Sequence, residues 1–152
     1  PYKGPIYGGF MVTDDDTYLI EYNCRLGDPE AINVLSLLET PLTEVGYGMA
    51  NGKLPVICFN KKATVCIYLV PEGYPVAPVK DQPIYVADGV QSELYFASVY
   101  DDSGVIKTTG SRAVALLAKG ESVTEAREKV YNDIDKITGR LHFRTDIAKG
   151  IP

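Results

Sequence analysis

The chain has 152 residues, room for one ordinary domain or two small ones, and its 45% apolar and 23% charged content is that of a folded globular protein rather than a disordered one. A formal net charge of -5, with fifteen Lys and Arg scattered along the chain, excludes a generic nucleic-acid surface, which needs clustered cations against phosphate. Cys24, Cys58 and Cys66 fall in no CxxC or Cys/His ligand spacing, which argues against zinc or a disulfide framework and for reduced thiols in a cytoplasmic setting; no apolar run approaches the ~20 residues of a membrane span.

The chain opens at Pro1 on strand-like sequence, with no Met and no signal-like segment, and is expected to be a piece of something longer. Residues 5–12 ("PIYGGFMV") read as a strand, Asp14 to Thr17 as a polar turn and residues 18–25 as a second strand, together an antiparallel hairpin. The Asp run is not a calcium loop. Counting from Asp14, the sixth and twelfth positions are Leu19 and Arg25, where that loop needs Gly and Glu. After Gly27, Asp28 as cap and Pro29 at the first helical position predict a helix over "AINVLSLLE", and a second helix opens at Thr40-Pro41.

The character changes near residues 55–62. "ATVCIYLV" (63–70) is a continuous apolar run of strand length, ended by the turn "PEGYP". "ELYFASVY", "VIKTTG" and "RAVALLAKG" predict further strands. Ser122 and Glu125 then form a capping box, and Val123, Ala126, Val130, Ile134 and Ile137 fall on one helical face, with Gly139 placed to end the helix. The expected class is α+β: antiparallel strands with helices over 1–60, then a small mixed or antiparallel sheet with one packed helix over 61–152.

One stretch carries candidate chemistry. Alternation along a strand puts Glu21, Asn23 and Arg25 on one face and Ile20, Tyr22 and Cys24 on the other. Carboxylate and amide oxygens are hard ligands suited to Mg²⁺, which takes one or two protein groups and completes its shell with water and substrate phosphates. Arg25 could hold a phosphate or carboxylate, and the amides opening the helix at Pro29 offer a second anion site. Asp28 and Glu30 could equally complement the helix dipole or grip an amine. A polar strand face followed by a capped helix also needs no function at all, and spacing by itself leaves that alternative open.

"EYNCRLGDPE" (21–30) resembles the Glu-x-Asn-x-Arg-Phe-Gly-Asp-Pro-Glu signature of the glycinamide ribonucleotide synthetase (phosphoribosylamine–glycine ligase) family of ATP-grasp enzymes. The resemblance extends to "IYGGFMVT" upstream and to "EGYP", "TTGSRAVALLAKGESVTEAREKVY" and "HFRTDI" downstream, nearly the whole chain. Glu-x-Asn is common to ATP-grasp enzymes; "RLGDPE" and the later segments are more specific. The sequence departs from the pattern at Leu26 for Phe, at Ala31-Ile32 for a more polar pair, at Glu72 for Gly and at Ser111 for the second Gly before Arg112.

The resemblance implies an enzyme of purine biosynthesis in which ATP phosphorylates the carboxylate of glycine and the amine of 5-phosphoribosylamine attacks the acyl phosphate, giving glycinamide ribonucleotide, ADP and phosphate. By position, Glu21 and Asn23 would hold Mg²⁺ (or Mn²⁺) against the ATP phosphates and Arg25 would steady the transferring group. Gly27, Asp28, Pro29 and Glu30 would help seat substrate. Residues 6–12 contain no further acidic ligand, so water or groups outside the chain would complete the metal shell. Residues 1–60 would be the closing part of the ATP-grasp domain and 61–152 the C-terminal domain. The remaining N-terminal domains of the same enzyme would be the partners, and the piece by itself would be inactive.

His142 is the only histidine, so a His-rich metal site is excluded and a Ser/His/Asp triad disfavoured. Arg112 and Arg144 lie in family-like segments and could reach the cleft or make surface ion pairs. Two rival readings remain: another ATP-grasp carboxylate–amine ligase, and a non-catalytic interaction module that retains this fold.

Overall fold

A computed structural model describes residues 1–151. The chain divides into two compact units, Pro1–Lys61 and Lys62–Pro152.

In the first unit β1 (Tyr7–Val12) and β2 (Thr17–Asn23) form an antiparallel hairpin. Its turn is closed locally: the Thr13 N–H donates to the Asp16 carbonyl at 2.9 Å and the Thr17 N–H to the Asp16 carboxylate at 2.7 Å. The register slips once, since Phe10 pairs with Leu19 but Gly9 with Glu21, leaving Ile20 as the extra residue of a bulge. β2 was expected to run to Arg25; it ends at Asn23, and Arg25 sits in the bend beyond. The expected apolar face is open to solvent, with Ile20 and Tyr22 each 63% exposed.

Helix α1 (Glu30–Leu37) begins one residue later than the Asp28 cap predicts. Pro29 is the N-cap and no side chain caps the helix, because backbone carbonyls of the turn take the first free amides: Ala31 N–H bonds Gly27 at 2.8 Å and Ile32 N–H bonds Pro29 at 2.9 Å. Helix α2 (Leu42–Asn51) opens after Pro41 as expected and stops at Gly52, whose left-handed φ of 70° suits glycine at that position. The segment after it returns to α1 through Asn60 N–H to the Leu37 carbonyl at 2.8 Å and Glu39 N–H to Cys58 at 3.0 Å.

The second unit holds β3 (Ala63–Pro71), β4 (Pro83–Val86), β5 (Glu93–Phe96), β6 (Val99–Asp102), β7 (Val105–Thr108), β8 (Val114–Gly120), α3 (Val123–Ile134), β9 (Ile137–Thr138) and β10 (Leu141–His142). Where one small sheet was expected there are two, of order β10-β3-β8-β5 and β6-β7-β4-β9, with antiparallel pairings throughout. The α+β class holds. Alternate residues of the central pair, Val65, Ile67 and Leu69 with Val114, Leu116 and Ala118, face Ala126, Val130 and Ile134 of α3 in one buried core, joined by Ile84 and Ile137.

Two further expectations change. "ELYFASVY" is not one strand: the Ala97 and Ser98 N–H groups donate to the Ala113 and Arg112 carbonyls at 2.8 and 2.9 Å, and the chain passes there from the first sheet into the second. Nor does α3 run on to Gly139. It ends at Ile134, and Ile137 reaches the core from β9 because the Lys136 carbonyl and Ile137 are drawn into pairing with Ala87 and Val86 of the β4 end. The capping box forms in modified geometry: Ser122 accepts the Glu125 N–H, while the Glu125 carboxylate accepts from Glu121, one residue before the cap. Among the described residues no helix is long and apolar enough to cross a membrane.

Candidate functional site

The polar residues of the β2 end form a hydrogen-bonded line. Asn23 Nδ2 donates to Glu21 Oε1 at 3.0 Å, and Arg25 Nη2 donates to Asn23 Oδ1 at 3.3 Å. Arg25 Nη1 also donates to the Leu26 carbonyl at 2.9 Å, which folds the guanidinium back over the turn. The structure thus brings the three together, Glu21 and Asn23 through strand alternation and Arg25 through the bend.

The Gly27–Glu30 turn is tied to the same surface from β1. Tyr7 pairs with Asn23 across the hairpin, so its side chain stands on the face that carries Asn23 and Glu21. Its hydroxyl donates to Glu30 Oε1 at 3.3 Å. The Glu30 carboxylate beside it, with Glu21 adding to the effect and Arg25 opposing it, raises the Tyr7 phenol above its ordinary pKa. Gly27 is buried under this pair. A Cβ on it would lie 2.8 Å from Tyr7 Cδ2 and would also strike the Glu30 carboxylate. Sequence reasoning missed Tyr7, whose place depends on the register of the hairpin.

A divalent cation fits the donor set as one edge of its shell. Glu21 and Asn23 present a carboxylate and an amide oxygen from one face of the strand, the first exposed and the second half-buried, and the amide carbonyl that accepts from Arg25 keeps a second lone pair. Among the described residues no group of three or more His, Cys, Asp and Glu could hold a metal.

The other named residues lie in the second unit. Arg144 is held by Asp146 through bonds of 2.9 and 2.6 Å, the arrangement of a surface ion pair. The Arg112 guanidinium stands 4.9 Å from the Tyr68 ring centre. His142 is exposed on β10, opposite Val70. Glu72 is bound by Arg140 at 2.8 and 2.9 Å, which fastens the "EGYP" turn to the β9–β10 connection.

Comparison with known proteins now bears on this arrangement. Residues 64–150 match the family model "Phosphoribosylglycinamide synthetase, C domain", and residues 1–31 match "Phosphoribosylglycinamide synthetase, ATP-grasp (A) domain". A phosphoribosylamine–glycine ligase of Methanococcoides burtonii is 45% identical over 150 residues, covering 97% of this chain and 35% of the relative. One from Methanosarcina acetivorans is 43% identical, covering 97% and 34%. The crystal structure of a phosphoribosylamine–glycine ligase from Thermotoga maritima superposes with a TM-score of 0.82 at 31% identity, covering 94% of this chain and 36% of that one. The chain spans about a third of the length of these relatives.

Proposed function

Since the chain belongs to the phosphoribosylglycinamide synthetase family, we propose that it works as the C-terminal third of an ATP-dependent ligase joining glycine to 5-phosphoribosylamine in purine biosynthesis. Residues 1–60 are then the closing part of the ATP-grasp domain and 61–152 the C-terminal domain. The exposed apolar face of the hairpin, Ile20 and Tyr22, is the surface on which the rest of the ATP-grasp domain packs. The reaction belongs to the cytoplasm, where thiols stay reduced.

The observation that carries this reading is the line Glu21–Asn23–Arg25 running into the Gly27–Glu30 turn. Phosphoryl transfer asks a protein for positioning and for stabilisation of charge on the transferring group. Glu21 and Asn23 would hold a Mg²⁺ or Mn²⁺, which would supply charge to neutralise the phosphates. Arg25 turns its remaining donors toward the phosphoryl oxygens as they pass from ATP to the glycine carboxylate, and again as phosphate leaves when the amine attacks. The bond that Arg25 Nη2 donates to Asn23 Oδ1 keeps the guanidinium at that end of the strand. Glu30, Asp28 and the Gly27 turn take the amine-bearing substrate, a carboxylate being the natural partner of an ammonium group.

The test is ADP release by the complete enzyme containing this chain, supplied with Mg-ATP and freshly generated phosphoribosylamine, with and without glycine. ADP that appears only with both co-substrates is the expected result. No ADP from the folded enzyme, or ADP with a different amine acceptor only, would overturn the proposal.

A further inference from the structure

We propose that Tyr7 is a positioning residue for the amine-bearing substrate, acting through Glu30: its hydroxyl and ring fix the Glu30 carboxylate and the Gly27 turn against the Glu21–Asn23 edge. The inference rests on the reading of that turn as a substrate seat.

Three observations meet at this side chain. The bulge at Ile20 places Tyr7 opposite Asn23, on the polar face of the hairpin. From there the hydroxyl reaches Glu30 Oε1 at 3.3 Å, across the turn that joins β2 to α1. The ring edge closes on Gly27 at a distance that leaves no room for even a methyl group, with Cδ2 and Cε2 2.8 and 2.9 Å from where one would stand.

The pairing links β1 to the first residue of α1. A glutamate at a helix start swings among several rotamers, and only some aim its carboxylate at one point. A phenol donating to one oxygen and an aromatic edge beneath the turn remove that freedom, and the second oxygen lies against Gly27 within the same turn. Tyr7 need not touch substrate to do this. Its loss costs affinity for the group that Glu30 receives and leaves the phosphoryl-transfer step alone.

Tyr7→Phe keeps the ring on Gly27 and removes the hydroxyl, so the variant folds as the parent does. In the complete enzyme the expected effect is a rise of roughly three- to tenfold in KM for glycine or for phosphoribosylamine, the scale of one ordinary hydrogen bond, with kcat and KM for ATP within about twofold. Glu30→Gln is expected to raise the same KM at least as much. Combined with Glu30→Gln, the Tyr7→Phe change should add little, because the two act through one contact. An unchanged KM in Tyr7→Phe, beside a raised KM in Glu30→Gln, overturns the role of Tyr7 and leaves the substrate seat standing. Unchanged KM values in both variants of an active ligase overturn the seat and Tyr7 with it. A fall in kcat with KM unmoved would also exclude positioning through Glu30.

Discussion

The Asp133 carboxylate on α3 accepts both the backbone N–H and the hydroxyl of Ser92, at 2.6 and 2.8 Å, across forty-one residues of chain. Gln91 N–H donates to the same oxygen at 2.9 Å, and Lys136 Nζ bridges the other oxygen, at 2.7 Å, to the Gly89 carbonyl. With Asp133 only 2% exposed, this buried charge is compensated on every side and pins the loop ahead of β5 to the helix. Asp133→Asn keeps the shape but turns an acceptor into a donor facing N–H groups. The expected loss is about 2–3 kcal/mol in urea unfolding of the chain; a loss below about 0.5 kcal/mol would show that the loop is held by other means.

The same group sets a pH dependence. Burial pushes the Asp133 carboxyl up, but the bonds from Lys136, Ser92 and Gln91 outweigh it and hold the group at about 2, below its ordinary 3.8. A carboxyl depressed in the folded state contributes stability in full above its unfolded pKa. That contribution disappears as pH falls through the window from about 4 to about 2. Asp102, Glu93, Glu125 and Asp146 are depressed as well, so acid destabilises the chain in any case. The expected signature of Asp133 is a difference: between pH 4 and 2 the parent loses about 2 kcal/mol more than Asp133→Asn. Parallel curves for the two would contradict it.

At the candidate site, Glu21→Gln separates function from fold. Glu21 is exposed, and its bond to Asn23 survives in the amide, so thermal unfolding should move by less than about 0.5 kcal/mol. Turnover of the complete ligase should fall by roughly a hundredfold or more, since a neutral oxygen replaces a metal-holding charge. Retained turnover, or an unfolding loss of several kcal/mol, would count against the metal role.

Gly27→Ala tests the close approach under Tyr7. The added methyl group must displace the Tyr7 ring edge or the Glu30 carboxylate. Overpacking of this kind costs about 1–3 kcal/mol where neighbours are fixed. Both neighbours here are side chains rather than backbone and can be pushed out of their contact, so the larger expected effect is on substrate KM, with stability changing by roughly 1 kcal/mol. An alanine variant with the parent's KM would mean that the turn tolerates the shift.

Ser122→Ala removes the cap of α3, leaving the Glu125 N–H without its 3.2 Å partner. About 1 kcal/mol of stability should be lost in urea unfolding. Glu125 remains fastened by Lys129 and by the Glu121 N–H, which limits the effect to that one bond.

What adjacent residues determine was legible in the sequence: the Asp-rich turn and its flanking strands, helix α2 behind Thr40-Pro41, the Ser122 cap, and the core stripe Ala126, Val130 and Ile134. Each depends on a period of two or 3.6, or on a bond spanning three or four residues, and such patterns are written locally. The Glu21–Glu30 motif was legible too, as contiguous residues. Only the tertiary structure decided the rest. From the pairing of Val12 with Thr17, an unbroken hairpin would set Tyr7 opposite Tyr22, on the apolar face; the bulge at Ile20 moves it opposite Asn23 and so into the site. The break of "ELYFASVY" at Ala97–Ser98 and the early end of α3 follow from which distant carbonyls and amides the chain meets, Ala113 and Arg112 in one case and Ala87 in the other. Asp133 reads in sequence as one more helical acid; its burial depends on Gln91 and Ser92 arriving from another sheet edge. Long-range pairing chooses among registers that local sequence leaves nearly equal in energy, and the placement of Tyr7 beside Glu30 is a consequence of that choice.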